Sequence, residues 1–463
     1  MKPIFLLLFA VLLLSCTTPP EKKFIHPWPQ NPRYWAYGDN PVLLLGASDN
    51  DNLFQSDNKI GQLDTLAAIG GNVIRNTMSS RDSGDVWPFY QQKDGLYDLD
   101  RWNDAYWNDF TELLSAAEER GIIVQIEVWD RFDFSRDPWQ NNPFHPDNNI
   151  NYTAEESGLA AEYPEHPYKD LQPFFHSIPG MLCYSPALDT VRAIQEKRVR
   201  KMLSISLNYG NVLYCMNNET NTPPEWGMYW IQFIRKQAES RGVTVYCTDM
   251  FDGIFRPQSS PELKHILNYT DIYSFLDISQ INSRNLNQTH WDSLQWILEQ
   301  REQSVIRPVN NTKVYGGPAN RNIFGSVQDG VEKFCRDIMA GCASARFHRP
   351  PSGNGLSQPS KAAIRALRLV EEDIAFWNGM DQMQRLSDRE TDEAYVTGLA
   401  GEWYVVYFPG GGQIELDCDK KAEFTVRWIN VKTGTRAIGG RSTENSPLHL
   451  ETPDDSGWFA VVK

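Results

Sequence analysis

Apolar runs of strand length alternate along the chain with segments whose apolar residues recur every three to four positions. Residues 33–45 read as a strand, a Gly-Asp-Asn turn and a second, fully apolar strand. Ile60, Leu63, Leu66 and Ile69 follow at helical spacing and stop at Gly70-Gly71. The alternation continues with strands at 72–78, 122–129, 212–220, 243–248, 272–276, 305–310 and 341–345. Helices fall between them, at 102–120, 189–207, 225–240 and 291–300, then around Val327–Ile338 and Ile364–Ile374. Strands and helices in this order predict an α/β fold, a (β/α)8 TIM barrel over residues 24–380. No Gly-x-Gly-x-x-Gly follows the first strand, which removes the usual nucleotide-binding version of an open sheet. From about residue 385 the period changes. Short strands at 404–408, 413–416, 424–428 and 458–462, separated by Gly-rich turns, predict a small C-terminal β-sandwich over 385–463.

The first residues carry a different signal. An apolar run from Ile4 to Leu14 is too short to span a bilayer as a stable helix and fits the core of a signal peptide over 1–15. Leu13-Leu14-Ser15-Cys16 resembles a bacterial lipobox, which implies lipidation at Cys16 and a polar tether over 16–23. The expected location is the bacterial cell envelope, as an outer-membrane lipoprotein touching the membrane only through that anchor. A net charge of −15 with no basic run argues against a nucleic-acid partner. None of the seven cysteines forms a C-x-x-C pair, so neither a metal nor another cofactor is expected.

The chemistry centres on the run 212–220, a buried strand that ends in Asn217-Asn218-Glu219. A carboxylate at the C-terminal tip of a barrel strand stands where that fold places its reactive groups. Other strand-end carboxylates are Asp49, Asp51, Glu127, Asp130, Asp249, Asp252 and Asp277. The connection 131–186 is long for a loop after a barrel strand and rich in Pro, Asn and aromatic residues, as the wall of a substrate cleft would be.

With these residues in view the chain resembles the barrel glycoside hydrolases whose acid/base is the Glu of an Asn-Glu pair after the fourth strand. More narrowly it is similar to bacterial apiosidase-like glycosidases with a C-terminal collagen-binding-type β-sandwich. The resembling segments are 31–35, Asp98-Leu99-Asp100-Arg101-Trp102, 118–122, Asn218-Glu219, and 404–409 with Trp428. The resemblance implies a glycan substrate and Glu219 as general acid, with burial or a nearby carboxylate raising its pKa. Asn218 and Arg75 would contact substrate. The seventh-strand nucleophile of that clan has no counterpart, because Lys313 or a neighbour stands where its Glu should be. Asp277 is therefore the expected catalytic partner. Trp129, Asp130, Trp139, Gln280, Asn311 and His348 complete the expected binding surface. The rival reading is a glycan-binding lipoprotein without catalysis, built on a degenerate barrel.

Overall fold

The computed structural model describes residues 22–319, 321–378, 393–418, 423–437, 441–443 and 447–463. The signal segment 1–15, Cys16 and the stretch joining barrel to sandwich lie outside them. Eight parallel strands form one sheet: β1 (Leu44–Ala47), β2 (Val73–Thr77), β3 (Ile123–Asp130), β4 (Val212–Asn218), β5 (Cys247–Thr248), β6 (Leu276–Asp277), β7 (Val309–Val314) and β8 (Ser344–Phe347). Hydrogen-bonded order runs β5-β4-β3-β2-β1-β8-β7-β6. The remaining seam, β5 to β6, is bridged where Ser274 N donates to Cys247 O at 2.8 Å, so the barrel is nearly closed. A helix follows each strand: α1 (Lys59–Ala68), α2 (Asp104–Glu119), α3 (Leu188–Ser206), α4 (Pro224–Glu239), α5 (Pro261–Asn268), α6 (Asn287–Glu302), α7 (Val327–Ala340) and α8 (Gln358–Asp373).

The apolar periodicity read from the sequence packs these helices onto the barrel. On α2 the buried face is Tyr106, Phe110, Leu113, Leu114 and Ala117; on α4 it includes Trp226, Trp230 and Ile234. The barrel's base is plugged by Trp35 from a small antiparallel sheet at 25–42. Its indole N–H donates to Asn310 Oδ1 (2.9 Å), and its ring meets Phe275 edge-on.

The seventh strand and the long 131–186 connection differ from expectation. The seventh begins at Val309, not residue 305, and continues through four polar residues to Val314. Every one of those side chains finds a partner inside the protein, so the strand runs on, buried, past residue 310, where its expected span ends. Its register with β8 slips between Asn311 and Val314. Such an irregularity re-aims a side chain, and here Lys313 turns into the barrel mouth. The long 131–186 connection is also more ordered than a bare loop, with short helices at Arg136–Gln140 and Ala154–Ser157.

The C-terminal strands make a large antiparallel sheet and a two-stranded one, Gln413–Leu416 with Leu448–Glu451. Strand alternation gives the large sheet two apolar faces. Tyr395, Val405, Tyr407, Phe459 and Val461 join the barrel's core. Val396, Val406, Phe408, Ala460 and Val462 close over the smaller sheet.

Candidate active site at the barrel mouth

Asn218 ends β4 and Glu219 follows it with φ +58°, a left-handed conformation that costs a non-glycine residue roughly 1–3 kcal/mol and clusters at functional sites. The turn is held from the next strand. Thr220 N donates to Met250 O (2.9 Å) and Asp252 N donates to Thr220 O (2.8 Å), extending the β4–β5 pairing beyond both strands.

A buried ionic network lies beneath. Arg75, on β2, donates through Nε to Glu127 Oε1 (2.5 Å), through one terminal nitrogen to Asp51, and through the other to Asn218 Oδ1 (2.8 Å). Asn218 Nδ2 donates to Asp130 Oδ2 (3.0 Å), which also pairs with Arg81. Burial alone would raise Asp51, but Arg75, His348, Arg349 and Arg81 outweigh it and hold the carboxyl well below its ordinary range. Glu127 goes the other way: burial raises it against the pull of Arg75 and Lys313, and its Oε2 has no hydrogen-bond partner.

Above this network stands Glu219. Lys313 Nζ donates to Glu219 Oε1 (2.5 Å) and to Asn218 Oδ1 (2.6 Å), and the Tyr315 hydroxyl donates to the same Oε1 (2.9 Å). Arg131 Nη2 lies 3.7 Å from Oε2, and the same nitrogen donates to Asp252 Oδ2 at 2.7 Å. Burial would raise Glu219, yet the charges of Lys313 and Arg131 and the two hydrogen bonds prevail, so it is held far below the usual carboxylate range. This corrects the raised value expected for a general acid: the cation from β7 keeps Glu219 ionised. Asp252 is lifted above its ordinary value, by burial first and by the neighbouring charge of Glu219, with Arg131 opposing.

Of the other expected residues, Arg75, Asn218 and Asp130 meet at this site. His348 stands beside it, buried, its ring 4.7 Å from that of Tyr315 and Nδ1 3.7 Å from Asp51. Five expectations are corrected. Asp277 is sealed in the barrel interior at 0% exposure, where Oδ1 accepts from Ser279 and Oδ2 from Gln125 (2.8 Å) and Thr312 (2.9 Å). Asn311 faces outward, donating to Asp337 Oδ2 on α7 (2.8 Å). Trp129 is buried against Trp226 and Trp230 of α4. Trp139 lies in the core of the 131–186 insertion, its N–H donating to Ala160 O (3.0 Å). Gln280 directs its amide at Met250 Sδ (3.8 Å) rather than at Glu219.

Arg131, Tyr315 and the ion pair made by Lys313 were not foreseen. Arg131 adjoins the predicted Asp130, which was the available signal. Phe132 was missed too; half-buried, it sits 5.3 Å below both the Arg81 and Arg131 guanidiniums. Among the described residues no group of three His, Cys, Asp or Glu side chains is arranged to hold a metal ion. A cleft of about 760 Å³ opens elsewhere, on the segments entering β5, β6 and β7. Its two arginines, Arg235 and Arg307, donate to backbone carbonyls, so it carries structure rather than chemistry.

No family model matches the chain, and no curated protein matches it. Solved structures do resemble it. A glycoside hydrolase family 5 protein from Bacteroides vulgatus ATCC 8482 is similar at TM-score 0.61 and 11% identity, covering 96% of this chain and 93% of that one. A second glycoside hydrolase gives 0.58 and 11%, with 95% and 96% covered. An α-amylase from Geobacillus thermoleovorans gives 0.52 and 8%, with 95% and 99% covered. At such identities the similarity is one of fold: a (β/α)8 barrel followed by antiparallel sheet.

Proposed function

We propose that the chain is a glycoside hydrolase that acts on a polysaccharide or oligosaccharide, with Glu219 as its central carboxylate. The observation that carries this reading is Glu219 itself. It sits at a barrel strand tip in a left-handed conformation, ionised, partly open to solvent, and braced by Lys313, Tyr315 and the Arg75–Asn218 pair. The fold shared with glycoside hydrolases supports it, and the narrower kinship with apiosidase-like enzymes belongs to the same proposal. So does the address: lipidation at Cys16 would tether the barrel to the bacterial envelope through 16–23.

The test is release of new reducing ends from a panel of plant and microbial glycans and aryl glycosides, with Glu219→Gln as control. Hydrolysis by wild type that the variant lacks is the expected result. A second reading, glycan binding without turnover, is favoured by one observation: Lys313 neutralises Glu219 where a second carboxylate was expected. Saturable binding with no hydrolysis across the panel would select it. For the address, Cys16→Ser should release a folded protein from the membrane fraction, since no described helix is long and apolar enough to cross a bilayer; retention would refute the anchor.

A further inference from the structure

A glycosidase that uses Glu219 in its ionised form needs a second group to protonate the leaving oxygen. Resting on the hydrolase reading, we propose that Asp252 is the catalytic proton donor and Glu219 the nucleophile, the two set in register by Arg131.

The choice of Asp252 follows from access. Glu127, Asp249 and Asp277 are at most 1% exposed and sealed beneath the mouth. Asp51, among Arg75, Arg81, Arg349 and His348, and Asp130, beside Arg81, are buried as well, at 4% and 1% exposure. Asp252 keeps 28% of its side-chain surface and Glu219 keeps 18%, so of these carboxylates they are the two that a bound glycan can reach.

Their spacing is set twice. The backbone link from Asp252 N to Thr220 O fixes one to the other's strand tip, and Arg131 Nη2 meets an oxygen of each, at 2.7 and 3.7 Å. Those two oxygens can stand no farther apart than both contacts laid end to end. That bound keeps the two carboxylates close enough to flank one glycosidic bond, as a nucleophile and a proton donor must.

The charges around the pair push the two groups apart in the direction this division requires. Lys313, Arg131 and Tyr315 face Glu219 and keep it ionised, with His166 beyond them. Burial and Glu219 raise Asp252 above its ordinary value against Arg131 and Lys313.

In the first step Glu219 bonds to the anomeric carbon as the glycosidic C–O bond breaks, and the departing oxygen takes the proton of Asp252. In the second, water adds to that carbon, its proton passes to the Asp252 carboxylate, and the bond to Glu219 breaks. The net change is the addition of one water.

The test uses the mature protein on a glycan that wild type cleaves and on a dinitrophenyl glycoside of the same sugar. Asp252→Asn should lose roughly 10²–10⁴-fold in kcat/KM on the glycan. It should lose far less on the dinitrophenyl glycoside, whose leaving group needs no proton. The alkaline limb of the glycan's pH profile should vanish with the carboxyl. A fluorosugar inactivator should label Glu219, located by peptide mass spectrometry, and the first-formed sugar should retain its configuration by NMR. Glycan hydrolysis by a folded Asp252→Asn at the wild-type rate overturns the donor; so does an equal loss on both substrates. Label on another carboxylate, or inversion, overturns the nucleophile. A wild type inert on every substrate refutes the hydrolase reading itself, and this assignment falls with it.

Discussion

Asp277 and Glu219 are carboxylates of the same barrel, a strand end apart in kind but opposite in surroundings. Asp277 is enclosed by neutral donors: Ser279, Gln125 and Thr312. Its bonds from Gln125 and Thr312 tie β3, β6 and β7 together across the interior. Glu219 is met by a lysine, a tyrosine and an arginine, and one of its oxygens touches nothing closer than 3.7 Å among the described contacts. A carboxylate satisfied on all sides holds strands together; one held ionised by cations, with an oxygen left open, is prepared for chemistry. Position at a strand tip does not separate the two cases, whereas the donors do.

The sharpest break of that comparison is Glu219→Gln. It preserves shape while removing the charge that Lys313 and Tyr315 support. Turnover of any cleaved glycan should fall on the order of 10⁴-fold with the fold intact by circular dichroism. A loss below tenfold would mean that the open carboxylate is not the working one.

Arg75→Met tests the floor under Glu219. The guanidinium is fully buried between Asp51, Glu127 and Asn218, so its removal strands Glu127 and leaves Asp51 to Arg81 and Arg349. Breaking a buried ion pair from one side costs about 3–5 kcal/mol, and the variant should melt well below wild type. A melting temperature within a degree or two of wild type would show that the network is dispensable.

Asp277→Asn probes the other carboxylate. An amide in this place turns one acceptor into a donor aimed at donors, a cost of about 1–3 kcal/mol. The lower melting point should come with unchanged kcat. A variant that melts like wild type yet has lost turnover would return Asp277 to the chemistry.

What the sequence disclosed follows the same division. Apolar runs and helical spacing located the barrel strands and their helices, because burial of one face is written in periodicity. The Asn218–Glu219 tip was legible for the same reason, as polar residues ending an apolar strand. β7 was legible only in part: the strand was read as 305–310, and its extension through Asn311, Thr312 and Lys313 was not seen because their partners, Asp337, Asp277 and Glu219, are remote in sequence. A register slip then decides which of them faces the mouth. Trp129 and Trp139 were placed in the cleft on the ground that aromatic rings stack on sugars, but aromatic bulk serves packing equally well. Phe134 and Phe174 stack at 3.8 Å within the same insertion, which is itself a core.

The mildest test of the comparison is Tyr315→Phe, which removes one hydroxyl from Glu219 Oε1. The ring should stay in place, since Phe324 stacks on it at 4.4 Å and His348 meets its edge. A neutral donor to a charged group is worth about 1.5–3 kcal/mol at most, so turnover near neutral pH should fall by no more than roughly 10²-fold. The larger signature is in pH. Glu219 is depressed when folded, so its ionisation stabilises the protein above the unfolded value of about 4.3 and is lost as pH falls through the folded one. Losing a hydrogen bond that favours the ionised form raises the folded value. The acid limb of kcat and the onset of acid destabilisation should therefore both move upward together, while the alkaline limb, set by another group, stays put. The check is a paired measurement of kcat and melting temperature from neutral to acid pH. If both acid limbs remain where wild type has them, the hydroxyl does not support the charge on Glu219, and Lys313 and Arg131 hold it without it.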